Sequence, residues 1–186
     1  MTRDALREAA AMALRAAKRR LEKKHGELDM YFVYVLPDGK VEREDVDSSV
    51  PNSPDAKAIQ FRRVRERASE LKAEAVIMVS DAWMLDSSAP DHQAVRNRLG
   101  QETACAIADD VGVVEAARLG LGRAMEVIQV ILDTPGWHYG LSQEYEKVGG
   151  DRRFIRFLGD PLVFDDSDGV AKVEGRGLIF FEKGAA

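Results

Sequence analysis

Apolar residues recur at helical spacing in two segments, and the first of these covers residues 3 to 25. Acidic Asp4 near its start and basic Lys23 and Lys24 near its end suit the helix macrodipole, and Gly26 supplies a stop. The pattern therefore predicts a helix with one buried stripe, made of Leu6, Ala10, Ala13, Ala17 and Leu21.

The second helical segment follows the polar linker VDSSVPNS. Ser53 is the predicted N-cap and Pro54 the first helical residue, because serine accepts hydrogen bonds from free helix amides and proline needs no donor there. The expected buried stripe consists of Phe61, Val64, Ala68 and Leu71.

Between these helices, the sequence predicts a β-hairpin with its turn at Pro37-Asp38-Gly39. Its first strand, residues 30 to 36, is apolar on both faces, so each face needs a cover. Its second strand, residues 40 to 45, is almost entirely charged, which is typical of an edge strand that avoids pairing with other chains.

The segment EAVIMVSDAWMLD predicts a strand over about residues 74 to 85. Val76 and Met78, and with them Trp83, are expected in the core, whereas Asp81 and Asp86 mark where the strand leaves it. Residues 86 to 101 are predicted to be a polar loop, and residues 102 to 110 another strand.

The remaining chain leaves one alternative open. Residues 113 to 132 are either one helix broken near Gly120 and Gly122, or a helical turn followed by a strand at 125 to 132; the β-branched residues favour the strand. Residues 133 to 136 predict a turn, and FIRFLGDPLVF and GRGLIFF predict closing strands. Trp137, His138 and Tyr139 are interpreted as an aromatic plug at a sheet corner.

Together these elements predict one α+β domain over residues 1 to 186, a mostly antiparallel sheet with the two long helices packed on one face. The first helix precedes the hairpin, and no crossover helix of sufficient length follows the third strand. The helices are therefore not expected to be βαβ crossovers.

Composition narrows the class of protein. The chain has 186 residues, 45% of them hydrophobic, and one cysteine, Cys105, which together indicate a reduced, cytoplasmic protein without a membrane span. Its net charge of −5 argues against a nucleic-acid partner, because nucleic-acid-binding domains are usually basic. The arginine-rich helix faces are instead expected to face the acidic strand EREDVD. No cofactor is predicted.

Candidate chemistry is confined to carboxylates at predicted strand ends. If the strands containing Asp81 and Asp109 were paired, the two side chains would meet and could bind Mg²⁺ or Mn²⁺. His92 would then transfer protons, and Arg96 and Arg98 would hold an anionic substrate. This alternative describes a small metal-assisted hydrolase or nuclease.

The preferred hypothesis is an accessory or protein-interaction domain without an evident catalytic motif, which self-associates through an apolar sheet edge or binds another protein. Its candidate contact residues lie in the strand and loop from position 83 onward: Trp83, Asp86, His92, Arg96 and Arg98.

One segment resembles known sequences. The motif VSDAWM after a strand, followed by a polar loop with proline and arginine and then by ETA, is similar to a segment of uncharacterised bacterial and phage proteins. The resemblance covers about residues 74 to 110, and it implies a fold but no activity.

Overall fold

The computed structural model describes residues 1–46, 54–149 and 154–165. The predicted Ser53 cap and the predicted strand at 175–181 lie outside these residues. The described helices are α1 Arg3–Lys23, α2 Pro54–Glu70, α3 Pro90–Leu99, α4 Gln101–Val111 and α5 Val113–Arg118. The strands are β1 Tyr31–Val35, β2 Val41–Asp45, β3 Ala75–Asp86, β4 Arg123–Asp133, β5 His138–Val148, β6 Phe154–Phe157 and β7 Leu162–Asp165.

These strands form one sheet with the order β2-β1-β3-β4-β5-β6, and β7 also pairs with β5. Every described pairing is antiparallel. The predicted α+β class and antiparallel sheet are therefore confirmed. The choice of a helical turn followed by a strand over residues 113–132 is confirmed by α5 and β4.

The predicted placement of both long helices on one face is wrong. α1 packs its stripe on the face that carries Ile77 and Val79, whereas α2 packs Val64 and Ala68 on the opposite face, beside Met78. Alternate residues of a strand point to opposite faces. Because the start of β3 is apolar at every position, each face needs its own helix.

The predicted β1–β2 hairpin is confirmed. Gly39 adopts a φ of +80°, and its amide donates to the carbonyl of Leu36 at 2.9 Å. The amide of Leu36 in turn donates to the carbonyl of Lys40. A residue without a Cβ therefore occupies the left-handed position of a three-residue turn.

The predicted loop at 86–101 and the predicted strand at 102–110 are both wrong, because three helices connect β3 to β4. α3 has Pro90 at its first turn, and Gly100 and Gly112, both with positive φ, separate it from α4 and α4 from α5. Ala104 and Ala116 pack with Leu121 in a small core, which includes Ile107. The spacing of Ala104 and Ile107 is helical, and it takes precedence over the β propensity of this segment.

The expected contact between the basic helix faces and the acidic strand β2 is made by a few arginines of α1 and α2. Arg20 of α1 lies 3.5 Å from Asp45, and Arg67 of α2 lies 3.0 Å from Glu42. These basic side chains therefore contribute to packing both helices around the hairpin. In the described part of the chain, no helix is long and apolar enough to cross a membrane.

Candidate functional site

The outer half of β3 has a strand neighbour on one side only. β1 has five residues and pairs with residues 75–79, whereas β3 has twelve residues and pairs with β4 along almost its whole length. Within the described ranges, the seven residues Ser80–Asp86 therefore pair with β4 on one side and have no strand partner on the other, because β1 covers that side only as far as Val79. We call this segment the outer β3 edge.

The backbone groups that face this edge can be identified from the hydrogen-bond pattern. The amide of Leu36 donates to Lys40 across the hairpin, so even-numbered residues of β1 bond to β2 and odd-numbered residues bond to β3. Each odd-numbered residue of β1 lies opposite an odd-numbered residue of β3. Continued along β3, this alternation turns the N–H and C=O groups of Asp81, Trp83 and Leu85 outward.

Trp83 lies at the middle of the outer β3 edge, and its expected burial in the core is wrong. It is 52% exposed, whereas Val76 and Met78 are 0% and 3% exposed, which confirms their place in the core. Trp83 is opposite Glu126 of β4. Trp83 is an even number of residues from Ile77 and Val79, so its side chain lies on the same face of the sheet as theirs, which is the α1 face.

A polar cluster lies next to Trp83 on this face. The buried Tyr145 donates its hydroxyl to Asp81 at 2.7 Å, and Lys147 donates to Glu126 at 2.9 Å. Desolvation raises the pKa of Asp81, against the opposing effects of the Tyr145 hydrogen bond and the Lys147 charge. Burial, followed by the hydrogen bond to Asp81, raises the pKa of Tyr145 far above its ordinary value. Tyr145 is therefore a hydrogen-bond donor here, and it fixes the position of Asp81.

Asp86, at the end of the outer β3 edge, is held by neighbouring groups. Its carboxylate accepts from the Ser88 amide at 2.9 Å and lies 3.6 Å from Arg123, which also pairs with Glu144. Hydrogen bonds from Ser88, followed by the Arg123 charge, lower the pKa of Asp86. Asp86 thus ends the strand with a compensated negative charge.

Two candidate contact residues of α3, His92 and Arg96, connect this helix to its neighbours. His92 donates from Nδ1 to the carbonyl of Gly120 at 3.0 Å. Arg96 donates to Cys105 Sγ and to the Gln101 side chain, each at 3.3 Å. Cys105 is thus partly buried on α4, whereas the sequence predicts a strand over residues 102 to 110. Arg98 lies exposed near the end of α3.

The strand pairing that the metal-site hypothesis requires does not exist. Asp81 is opposite Ile128 of β4, and Asp109 belongs to helix α4. Among the described residues, no group of three or more His, Cys, Asp or Glu side chains could hold a metal ion. The hypothesis that Asp81 and Asp109 meet across paired strands is therefore wrong.

One ionisable pair was missed by the sequence analysis. Asp133, fully buried at the end of β4, lies 2.5 Å from Nδ1 of His138 at the start of β5. The signal was the short turn at 133–136, because a hairpin across it places residue 133 opposite residue 138. The predicted aromatic plug is confirmed: Trp137 is 8% exposed, and the guanidinium groups of Arg3 and Arg7 each lie 5.7 Å from its ring.

The outer β3 edge thus combines outward backbone groups with a large exposed aromatic side chain, which is an arrangement that can bind an additional strand.

No protein-family model, curated protein or solved structure matches this chain.

Proposed function

We propose that this protein is a non-catalytic interaction domain, which binds a protein partner along the outer β3 edge. The observation that carries the proposal is Trp83, 52% exposed at the centre of a strand segment whose outer side has no strand neighbour in the described ranges. Tryptophan is enriched among the residues that dominate binding energy at protein interfaces.

The other features of this surface support the same function. An added strand would satisfy the outward backbone groups of Asp81, Trp83 and Leu85, which gives affinity independent of sequence. The hydrogen bond from Tyr145 holds Asp81 in place, so the surface is ordered before a partner arrives. In contrast, the hairpin edge β2 carries Glu42, Arg43 and Glu44, and such charges discourage strand addition.

The proposal includes a reducing, cytoplasmic setting, because a single cysteine can form no internal disulfide. Asp86, His92 and Arg96 act as positioning residues in this scheme. Asp86 holds the turn that leaves β3, His92 links α3 to Gly120 after α5, and Arg96 links α3 to α4.

The test is site-specific photo-crosslinking in the cells that make the protein. A photoreactive amino acid replaces Trp83, and a matched control replaces Ile59, which is 62% exposed on α2. We expect a discrete adduct from position 83 and none from position 59. An excess of unlabelled protein should suppress this adduct, whereas the Trp83→Lys variant should not. Equal adducts from the two positions, or none from position 83, would contradict the proposal.

A further inference from the structure

We infer that the helices α3 and α4 detach from the rest of the fold as one unit, while the sheet and α1 stay folded. These two helices comprise residues 90–111, and we call them the α3–α4 pair. The pair lies in the connection between β3 and β4, and its opening is independent of the proposed function. Its burial, its few attachments and its hinge carry the inference.

The α3–α4 pair buries very little apolar surface. α3 has no buried residue, and α4 has one, Ala104. In contrast, α1 is buried along most of its length, at Leu6, Ala10, Leu14, Ala17 and Leu21. Segments with few buried apolar side chains open at a lower free energy than the core of a protein. The pair should therefore open more readily than α1.

The pair is attached to the rest of the chain by a small core. The fully buried residues of this core are Ala104 in the pair, and Ala116 and Leu121 beyond it. Val95 and Ile107 of the pair are only partly buried against them. α5 packs against β3 and β4, whereas α3 and α4 contact chiefly each other and α5. Detachment of the pair would therefore leave α5 on the sheet and expose the apolar side chain of Leu121.

Polar contacts hold the two helices together more than they hold the pair to the sheet. Arg96 of α3 donates to the side chains of Gln101 and Cys105 in α4. Beyond the turns that flank the pair, one side-chain hydrogen bond among the described residues reaches the rest of the chain, from His92 to the carbonyl of Gly120. The two helices should therefore move together.

Gly112 provides a hinge at the end of the pair. It adopts a φ of +81°, and apart from its neighbours in the chain no heavy atom lies within 4 Å of the place that a Cβ would occupy. Glycine has more backbone freedom than other residues. At the other end, residues 87–89 connect the pair to β3 outside any helix or strand. The backbone can therefore turn at both ends of the pair.

Thiol labelling at buried positions tests the inference. In a Cys105→Ser background, which keeps an acceptor for Arg96, Ala104→Cys places a thiol in the small core. Ala17→Cys places a matched thiol on α1, since both alanines are 0% exposed. The thiol at position 104 should react at least about tenfold faster, at a rate that low urea does not change. The thiol at position 17 should react only through global unfolding, at a rate that rises steeply with urea. Equal rates with the same urea dependence would overturn the inference.

Amide hydrogen exchange of the unmodified chain excludes an effect of the added sulfur. The amides of Val95 in α3 and Ile107 in α4 should be less protected than that of Leu14 in α1. The two amides of the pair should also share one opening free energy, because the helices detach together. Protection equal to that of Leu14, or different opening free energies in α3 and α4, would refute opening as one unit.

The contact of His92 provides a third test. In the Ala104→Cys chain, His92→Ala should accelerate labelling about two- to tenfold, because the hydrogen bond to Gly120 holds only the attached form. Asn97→Ala is the matched control, since Asn97 is exposed on the same helix, and it should leave the labelling rate unchanged. Equal labelling rates in the two variants would contradict this attachment, and with it the inference.

Discussion

The position of α1 and α2 on opposite faces of the sheet predicts the effect of two neighbouring substitutions in β3. Ile77 and Met78 point to opposite faces, and they are 1% and 3% exposed. Ile77→Ala and Met78→Ala should therefore each create a cavity, and truncations of this kind cost about 2–5 kcal/mol. With both helices on one face, one of the two positions would be exposed and its truncation nearly neutral.

The structure narrows the expected magnitude for Met78. β1 and β4 flank this residue and hold its backbone through Phe32 and Ile131, so the sheet cannot close the cavity. Only α2, which contributes the fully buried Val64 on this face, can move inward. We therefore expect Met78→Ala to lower the free energy of unfolding by about 3 kcal/mol, in the middle of the usual range.

Urea denaturation followed by circular dichroism measures both variants. Val41→Ala is the control, since Val41 is 60% exposed on β2, and this change should stay within about 0.5 kcal/mol of the parent. If either Ile77→Ala or Met78→Ala also stays within about 0.5 kcal/mol, the corresponding face is not covered by a helix and the described packing is wrong.

Three other predictions address the hairpin turn, the aromatic plug and the polar cluster. Gly39→Val should cost about 1 kcal/mol or more in urea denaturation, because a β-branched residue resists the φ of +80°; unchanged stability would refute the assigned turn. Trp137→Ala should cost about 3–5 kcal/mol, since Trp137 packs in the core under Arg3, and a loss below about 1 kcal/mol would contradict this packing. The folded-state pKa of Asp81 is raised, so its contribution to stability is largest below about pH 4 and is lost as pH rises through the folded value. Asp81→Asn should therefore gain stability relative to the parent as pH rises from about 3 toward neutral, and a difference that is independent of pH would refute the pKa shift.

The sequence predicts those elements whose signals are local. The helix α1, the Pro37-Asp38-Gly39 turn and the apolar start of β3 are each specified through spacing or turn chemistry, and each is confirmed. In the stripe of α1, however, the buried residue is Leu14 and the predicted Ala13 is only partly buried. The segment from 86 to 111 was misassigned, although Pro90 and the positive-φ glycines Gly100 and Gly112 carry helix signals. Its one fully buried residue is Ala104, and so small a side chain gives a weak hydrophobic pattern that hides the helical period.

The candidate site was less predictable, because it depends on pairing between distant strands. Which face of the sheet each long helix covers depends on how distant segments pack against β3. No local sequence pattern specifies this. The contact between Asp81 and Tyr145 joins residues 64 positions apart. One signal was present in the sequence: the first strand was predicted to be much shorter than the strand containing Trp83, and unequal neighbours leave an edge uncovered.

Amide hydrogen exchange, read by NMR residue by residue, tests the outer β3 edge most directly. In dilute protein, the amides of Asp81, Trp83 and Leu85 should exchange much faster than those of Ala82 and Met84, which bond to β4. Slow exchange of all five amides in dilute protein would show that the edge is already covered.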